Sequence, residues 1–108
     1  MKKRLVILLS ITISGLSAQT ITAYNLDISE ITVSPAGKEV KGMAVNGSIP
    51  GPVLTFTEGD SAVIHVTNHM DVETSVHWHG ILLPNFQDGV PYLTTPPIRP
   101  GETFTYRF

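Results

Sequence analysis

Two histidines one residue apart, His77 and His79 in the stretch Ser75-Val76-His77-Trp78-His79-Gly80, are the residues best placed to do chemistry. In an extended chain, residues two apart project to one face and lie roughly 6.6 Å apart along the strand. Both imidazoles can then reach one metal site while Trp78 packs on the opposite side. Imidazole suits copper, zinc, iron and nickel, so ligand type alone does not choose the metal. Two imidazoles do not close a site, and further ligands must come from elsewhere. The spacing is a weak signal by itself, because two ordinary histidines in a sheet look the same.

The other histidines read differently. His65 alternates with Ile64 and Val66 and should point away from their face. His65 and His69 are expected as surface or satisfied histidines. Asp88, just before Gly89, reads by itself as a turn-former. Trp78 is expected to fill the core between the two candidate ligands. Met43 and Met70 are isolated, and Glu58-Gly59-Asp60 reads as a charged turn.

The elements that must position these residues are short and β-rich. Beyond Ile21 no long stretch has helical periodicity, and Pro/Gly turns separate alternating segments, as in a sandwich or barrel. Tyr24 to Val33, Lys38 to Val45, Val53 to Thr57, Ala62 to Asn68 and Glu102 to Phe108 read as strands, and Thr74 to Leu82 as extended chain. Between Pro84 and Pro97 four prolines and one glycine mark a long irregular connection. The last strand alternates Phe104, Tyr106 and Phe108 and stops without a polar tail. An apolar edge left that way is an aggregation liability, so the expectation is a truncated product.

Length allows one domain. A basic start at Lys2, Lys3 and Arg4, the apolar run Leu5 to Ile13 and small residues up to Ala18 have the layout of a secretory signal peptide over residues 1–19. The run is shorter than the roughly 20 residues a membrane-spanning helix needs. Removing it leaves four basic residues against nine acidic ones, a net charge of minus five. That balance gives no support to nucleic-acid binding or to attraction by anionic membranes. The chain has no cysteine. Its stability therefore comes from the core without disulfides, and it has no thiolate for a blue-copper electron-transfer site or a lipid anchor.

In order along the chain, Asn46-Gly47-Ser48-Ile49-Pro50-Gly51-Pro52, Glu58-Gly59-Asp60, His77-Trp78-His79-Gly80, Asp88-Gly89-Val90-Pro91 and Pro97-Ile98-Arg99-Pro100-Gly101-Glu102-Thr103-Phe104 form a specific set. Over about residues 24 to 108 it resembles the N-terminal cupredoxin (plastocyanin-like) domain of multicopper oxidases, with bacterial copper-resistance oxidases and laccases the nearest in pattern. The resemblance implies a Greek-key β-sandwich over residues 20–108, cut short at its C-terminal end. It implies a periplasmic or secreted protein that takes single electrons from a small reductant, such as cuprous ion or a phenol, and reduces dioxygen to water. It further implies that His77 binds the type 2 copper of a three-copper cluster and His79 one of the type 3 pair, with Asp88 supplying protons. The family holds that cluster with four H-x-H pairs. This chain has one pair and no type 1 site, so it is not expected to turn over alone. A non-catalytic exported copper-binding module is the alternative. A copper-free envelope scaffold is a third reading, opposed by the presence of both histidines.

Overall fold

The computed structural model describes residues 19–108, so the expected leader lies outside the described residues except for Gln19. Four strands form: β1 (Ile21–Val33), β2 (Val40–Val45), β3 (Ser61–Asn68) and β4 (Thr103–Arg107), with one 3-10 turn at Asn85–Gln87. They make a single mixed sheet in the order β2-β1-β3-β4. The long strand β1 serves two partners. Ile21 to Ile28 run parallel to β3, Ile21 opposite Ser61 and Ile28 opposite Asn68. Ile28 to Val33 run antiparallel to β2, Val33 opposite Val40. Strand β4 closes the other side, antiparallel to β3, with Ile64 opposite Tyr106.

Alternation decides which face is inside. In β3, Ala62, Ile64, Val66 and Asn68 are buried, and the residues between them are half-buried. Leu26 and Ile28 of β1 and Tyr106 of β4 lie on the same face, and Met70 and Ile98 join them from outside the strands. Each fully buried aliphatic side chain here stabilises the fold by about 1.5–3 kcal/mol. The irregular segment 69–102 thus forms the second layer over the sheet, contributing Met70, Val76, Trp78 and Ile98.

The buried Asn68 side chain is fully paired in that layer. The Asn68 amide donates to the carbonyls of Val72 (2.7 Å) and Ile98 (2.8 Å), and its oxygen accepts the Met70 N–H (2.9 Å). One side chain at the end of β3 therefore anchors both ends of the crossing segment. Thr74 and Ile98 exchange main-chain hydrogen bonds at 3.0 and 2.8 Å, the one bridge that Thr74 to Leu82 makes.

The sequence expectation of strands holds for β1 to β4 within three residues at each end and fails at Val53 to Thr57, which joins no ladder. There the main chain of Thr55 bonds a side chain, donating its N–H to Tyr24 Oη and accepting the Tyr24 hydroxyl, both at 3.0 Å. The alternating sequence makes that segment extended, but pairing needs a free strand edge.

Candidate metal centre

The His77-x-His79 pair is presented by a stretch that is extended without being a strand. Val76 and Trp78 turn inward and pack on the core. The Val76 N–H donates to Tyr106 Oη at 3.2 Å, which ties this segment to the buried tyrosine of β4. Trp78 meets Tyr106 and Phe108 edge-on, with ring centroids 5.4 and 5.3 Å away. This confirms Trp78 as a packing residue, although its Nε1–H is buried without a partner among the described residues. After His79 the chain turns at Gly80, φ +79°, and the Ile81 N–H donates to the Trp78 carbonyl at 3.3 Å.

His77 and His79 face outward as a consequence. Their ring centroids are 5.6 Å apart and the planes cross at 84°. Both are exposed. The period-two argument from sequence therefore describes the geometry, even though no neighbouring strand enforces it.

Asp88 meets His77 through two different oxygens. Its main-chain carbonyl lies 2.8 Å from His77 Nδ1, while the carboxylate Oδ2 is 3.5 Å away. The carbonyl contact is the hydrogen bond. A carbonyl can only accept, so Nδ1 carries the proton and donates, and Nε2 keeps its lone pair. A metal-binding histidine commonly fixes its ring in this way, donating its second nitrogen to a carbonyl or carboxylate. The carboxylate, 29 % exposed, stays beside the ring without being used up in orienting it.

Gly89, Trp78, Ser75 and Thr95 hold Asp88 in place, a role the sequence reading assigned to none of them. Gly89 has φ +84°, and a Cβ there would sit 1.7 Å from the Val76 carbonyl oxygen. Only glycine allows the 88–89 backbone to lie flat on residues 76–78. The Trp78 N–H donates to the Asp88 carbonyl (3.3 Å), and the Ser75 hydroxyl donates to the Gly89 carbonyl in a very short contact. Thr95 takes the Gly89 N–H on its Oγ1 at 2.8 Å. The Asp-Gly pair signalled a turn. Nothing in the sequence pattern marked the close approach of two backbones.

The remaining candidates sit elsewhere. His65 of β3 shares a hydrogen bond with Thr105 of β4, Nδ1 to Oγ1 at 2.8 Å. His69 Nε2 is 2.9 Å from Asp27 Oδ1 at the end of β3. Met70 is core and Met43 is exposed on β2. Gly59 at φ +93° and the Asp60 N–H to the Thr57 carbonyl make Glu58-Gly59-Asp60 a turn that starts β3. Among the described residues no group of three or more His, Cys, Asp or Glu side chains converges on one point. The pair of imidazoles, one with its Nε2 lone pair set free by a main-chain acceptor, fits part of a copper site and does not complete one.

Similarity to known proteins extends over most of the described chain. The multicopper oxidase family model matches residues 27–108. Copper resistance protein A of Pseudomonas syringae pv. tomato is 44% identical over 94 residues, covering 87% of this chain and 15% of that protein. Laccase-1 of Cryptococcus neoformans var. grubii is 44% identical over 91 residues, covering 82% of this chain and 15% of its own length. The crystal structure of a multi-copper oxidase from Pseudomonas thermotolerans superposes with a TM-score of 0.77 at 34% identity, covering 84% of this chain and 22% of that one. The chain belongs to the multicopper oxidase family. Its all-β fold is of the cupredoxin type, and the four strands form one layer of it. It spans about 15% of the length of these curated relatives.

Proposed function

We propose that this chain supplies one H-x-H pair to the copper cluster of an exported multicopper oxidase. In the whole protein, oxidation of a small reductant by single electrons would be coupled to reduction of dioxygen to water. The observation that carries the reading is the His77 ring: its Nδ1–H is held on the Asp88 carbonyl, which leaves Nε2 uncommitted, and the His79 ring centroid lies 5.6 Å away.

His77 and His79 would hold copper, His77 the type 2 ion and His79 one of the type 3 pair. Copper, when bound there, supplies the one-electron redox chemistry and the site at which dioxygen is reduced. The residues of this chain do the rest of the local work. The Asp88 carbonyl orients the His77 ring. The Asp88 carboxylate, 3.5 Å from that ring, takes protons at Oδ2 from solvent and passes them on. Reduction of dioxygen to water consumes protons, and a positioned acid accelerates such transfers by about 10²–10⁴. Trp78 excludes water from the inner side of the pair.

The converging set of only two imidazoles favours a second reading, a copper-binding module without turnover. Copper titration and dioxygen uptake separate the possibilities. We expect copper binding to be lost in His77→Ala and His79→Ala and kept in His65→Ala, while the reverse pattern sinks the assignment. Binding without dioxygen uptake by the natural-length protein would favour the module, and no binding at either histidine would favour a scaffold.

A further inference from the structure

Thr95 lies seven residues beyond Asp88, is 3 % exposed, and touches neither histidine among its hydrogen bonds. Its hydroxyl makes two close contacts besides a longer one to Thr94 Oγ1 at 3.5 Å. Oγ1 accepts the Gly89 N–H at 2.8 Å and donates to the Phe86 carbonyl at 3.1 Å. These two contacts grip the chain on either side of Gln87 and Asp88. The turn that carries Thr95 is closed in its own right. The Thr94 and Thr95 N–H groups both donate to the Val90 carbonyl, at 3.0 and 3.2 Å, and the Tyr92 N–H donates to the Thr95 carbonyl at 3.1 Å. The hydroxyl is thus a fixed point, and the 86–89 stretch hangs from it.

We propose that Thr95 is a positioning residue for His77: by clamping Phe86 and Gly89 it holds the Asp88 carbonyl against Nδ1 and so selects Nε2 as the metal-binding nitrogen. This rests on the reading that His77 binds copper and adds to it the source of the ring's orientation. The chain of contacts is continuous. Thr95 Oγ1 fixes the Gly89 N–H, the peptide that contains that N–H also contains the Asp88 carbonyl, and that carbonyl accepts from His77 at 2.8 Å. One peptide plane therefore joins the hydroxyl to the imidazole. A planar peptide turns as a unit, so releasing its N–H leaves its carbonyl held only by the Trp78 N–H at 3.3 Å and by the His77 ring itself. Filling the Thr95 site with an apolar side chain leaves a buried N–H and a part-buried carbonyl to find new partners, and local rotation of this peptide is the cheapest way.

The test uses the protein at its natural length, first without metal. Long-range proton–nitrogen correlation spectra of the imidazoles, taken at a pH where His77 is neutral, report which nitrogen carries the proton. The Nδ1–H form is expected for the wild type and for Thr95→Ser, which keeps the hydroxyl. Thr95→Val and Thr95→Ala, which lack it, should shift His77 toward the Nε2–H form and weaken copper binding about tenfold. His65 should not change in any of them. A folded Thr95→Val or Thr95→Ala protein that keeps the wild-type His77 signature overturns the proposal. A wild-type ring in the Nε2–H form overturns it whether or not either variant folds. If His77→Ala abolishes copper binding while the tautomer ignores Thr95, the copper reading stands and the positioning role falls. If both histidine variants keep their copper, the copper reading falls and the tautomer result still decides the role of Thr95.

Discussion

An imidazole offers two nitrogens, and a metal takes the one whose lone pair is not committed. At His77 that commitment is made by a main-chain atom, which separates two duties that meet at Asp88. Substituting the side chain leaves the carbonyl where it is. Asp88→Asn should therefore bind copper within about threefold of wild type, yet reduce dioxygen at least about 10²-fold more slowly, as expected for loss of a proton-transfer group. Equal losses in both measurements would show that the carboxylate is needed to build the site. Gly89 carries the opposite sensitivity. With φ +84° and a Cβ placed 1.7 Å from the Val76 oxygen, Gly89→Ala must push two backbones apart. A loss of about 3 kcal/mol or more in denaturant unfolding is expected from strain of this kind, and copper binding should fall with it. An unchanged midpoint would mean that the 76–89 contact yields easily.

Among the elements, the crossing segment depends on a few anchors. Tyr92 sits at φ +63°, a conformation that a bulky residue rarely adopts, and its hydroxyl donates to the Glu73 carboxylate, which also faces Arg99 Nε at 3.6 Å. The hydrogen bond to Glu73 is the main reason that the tyrosine pKa is raised above its ordinary 10.0, with the Glu73 charge adding to it and Arg99 opposing it. A raised pKa in the fold means that the contact stabilises below the ordinary value and is lost as pH rises through the raised one. The stability gap between wild type and Tyr92→Phe should accordingly be constant up to about pH 10 and close above it. A gap that persists in strong alkali, measured by urea unfolding, would assign the effect to packing.

These anchors also show what the sequence could convey. Strands β1, β3 and β4 were legible because period-two burial is written in residue type, as in Tyr24, Leu26 and Ile28 or in Ile64 and Val66. The H-x-H geometry was legible for the same reason. Val53 to Thr57 misled because extended conformation has a pattern but strand pairing depends on distant chain, here the Tyr24 hydroxyl. The duty of the Asp88 carbonyl had no signal at all, since every residue type carries that atom. Thr95 in the irregular connection and Ser75 in the extended stretch carried no mark of this role, and only their contacts with Gly89 distinguish them.

For the whole molecule, one side is poorly suited to water. Phe56, Ile81 and Leu82 are exposed and line an open depression with Phe108, and Leu82 is fully accessible. Among the described residues β4 pairs in a ladder only with β3, and on its second edge the Arg107 N–H is taken up by Gln87 Oε1. Apolar surface beside an unpaired edge favours association. The chain studied by itself should therefore sediment as larger species as its concentration rises, and Leu82→Lys should move that onset to higher concentration. A monomer at all concentrations would show that its negative charge suffices to keep copies apart.

The double partnership of β1 has a consequence for the order in which the molecule assembles. Its junction with β2 joins Val33 to Val40, a short loop that closes quickly, whereas its junction with β3 joins Ile21 to Ser61. The hairpin can nucleate early, and the parallel ladder must wait for a much longer closure. The histidine-bearing stretch must wait for a closure of similar length, because its inward contacts use Tyr106 and Phe108, which take their places only when β4 docks on β3. The residues proposed to take up metal are thus ordered only after β4 has docked, so copper arriving before that step would meet an unfinished binding loop.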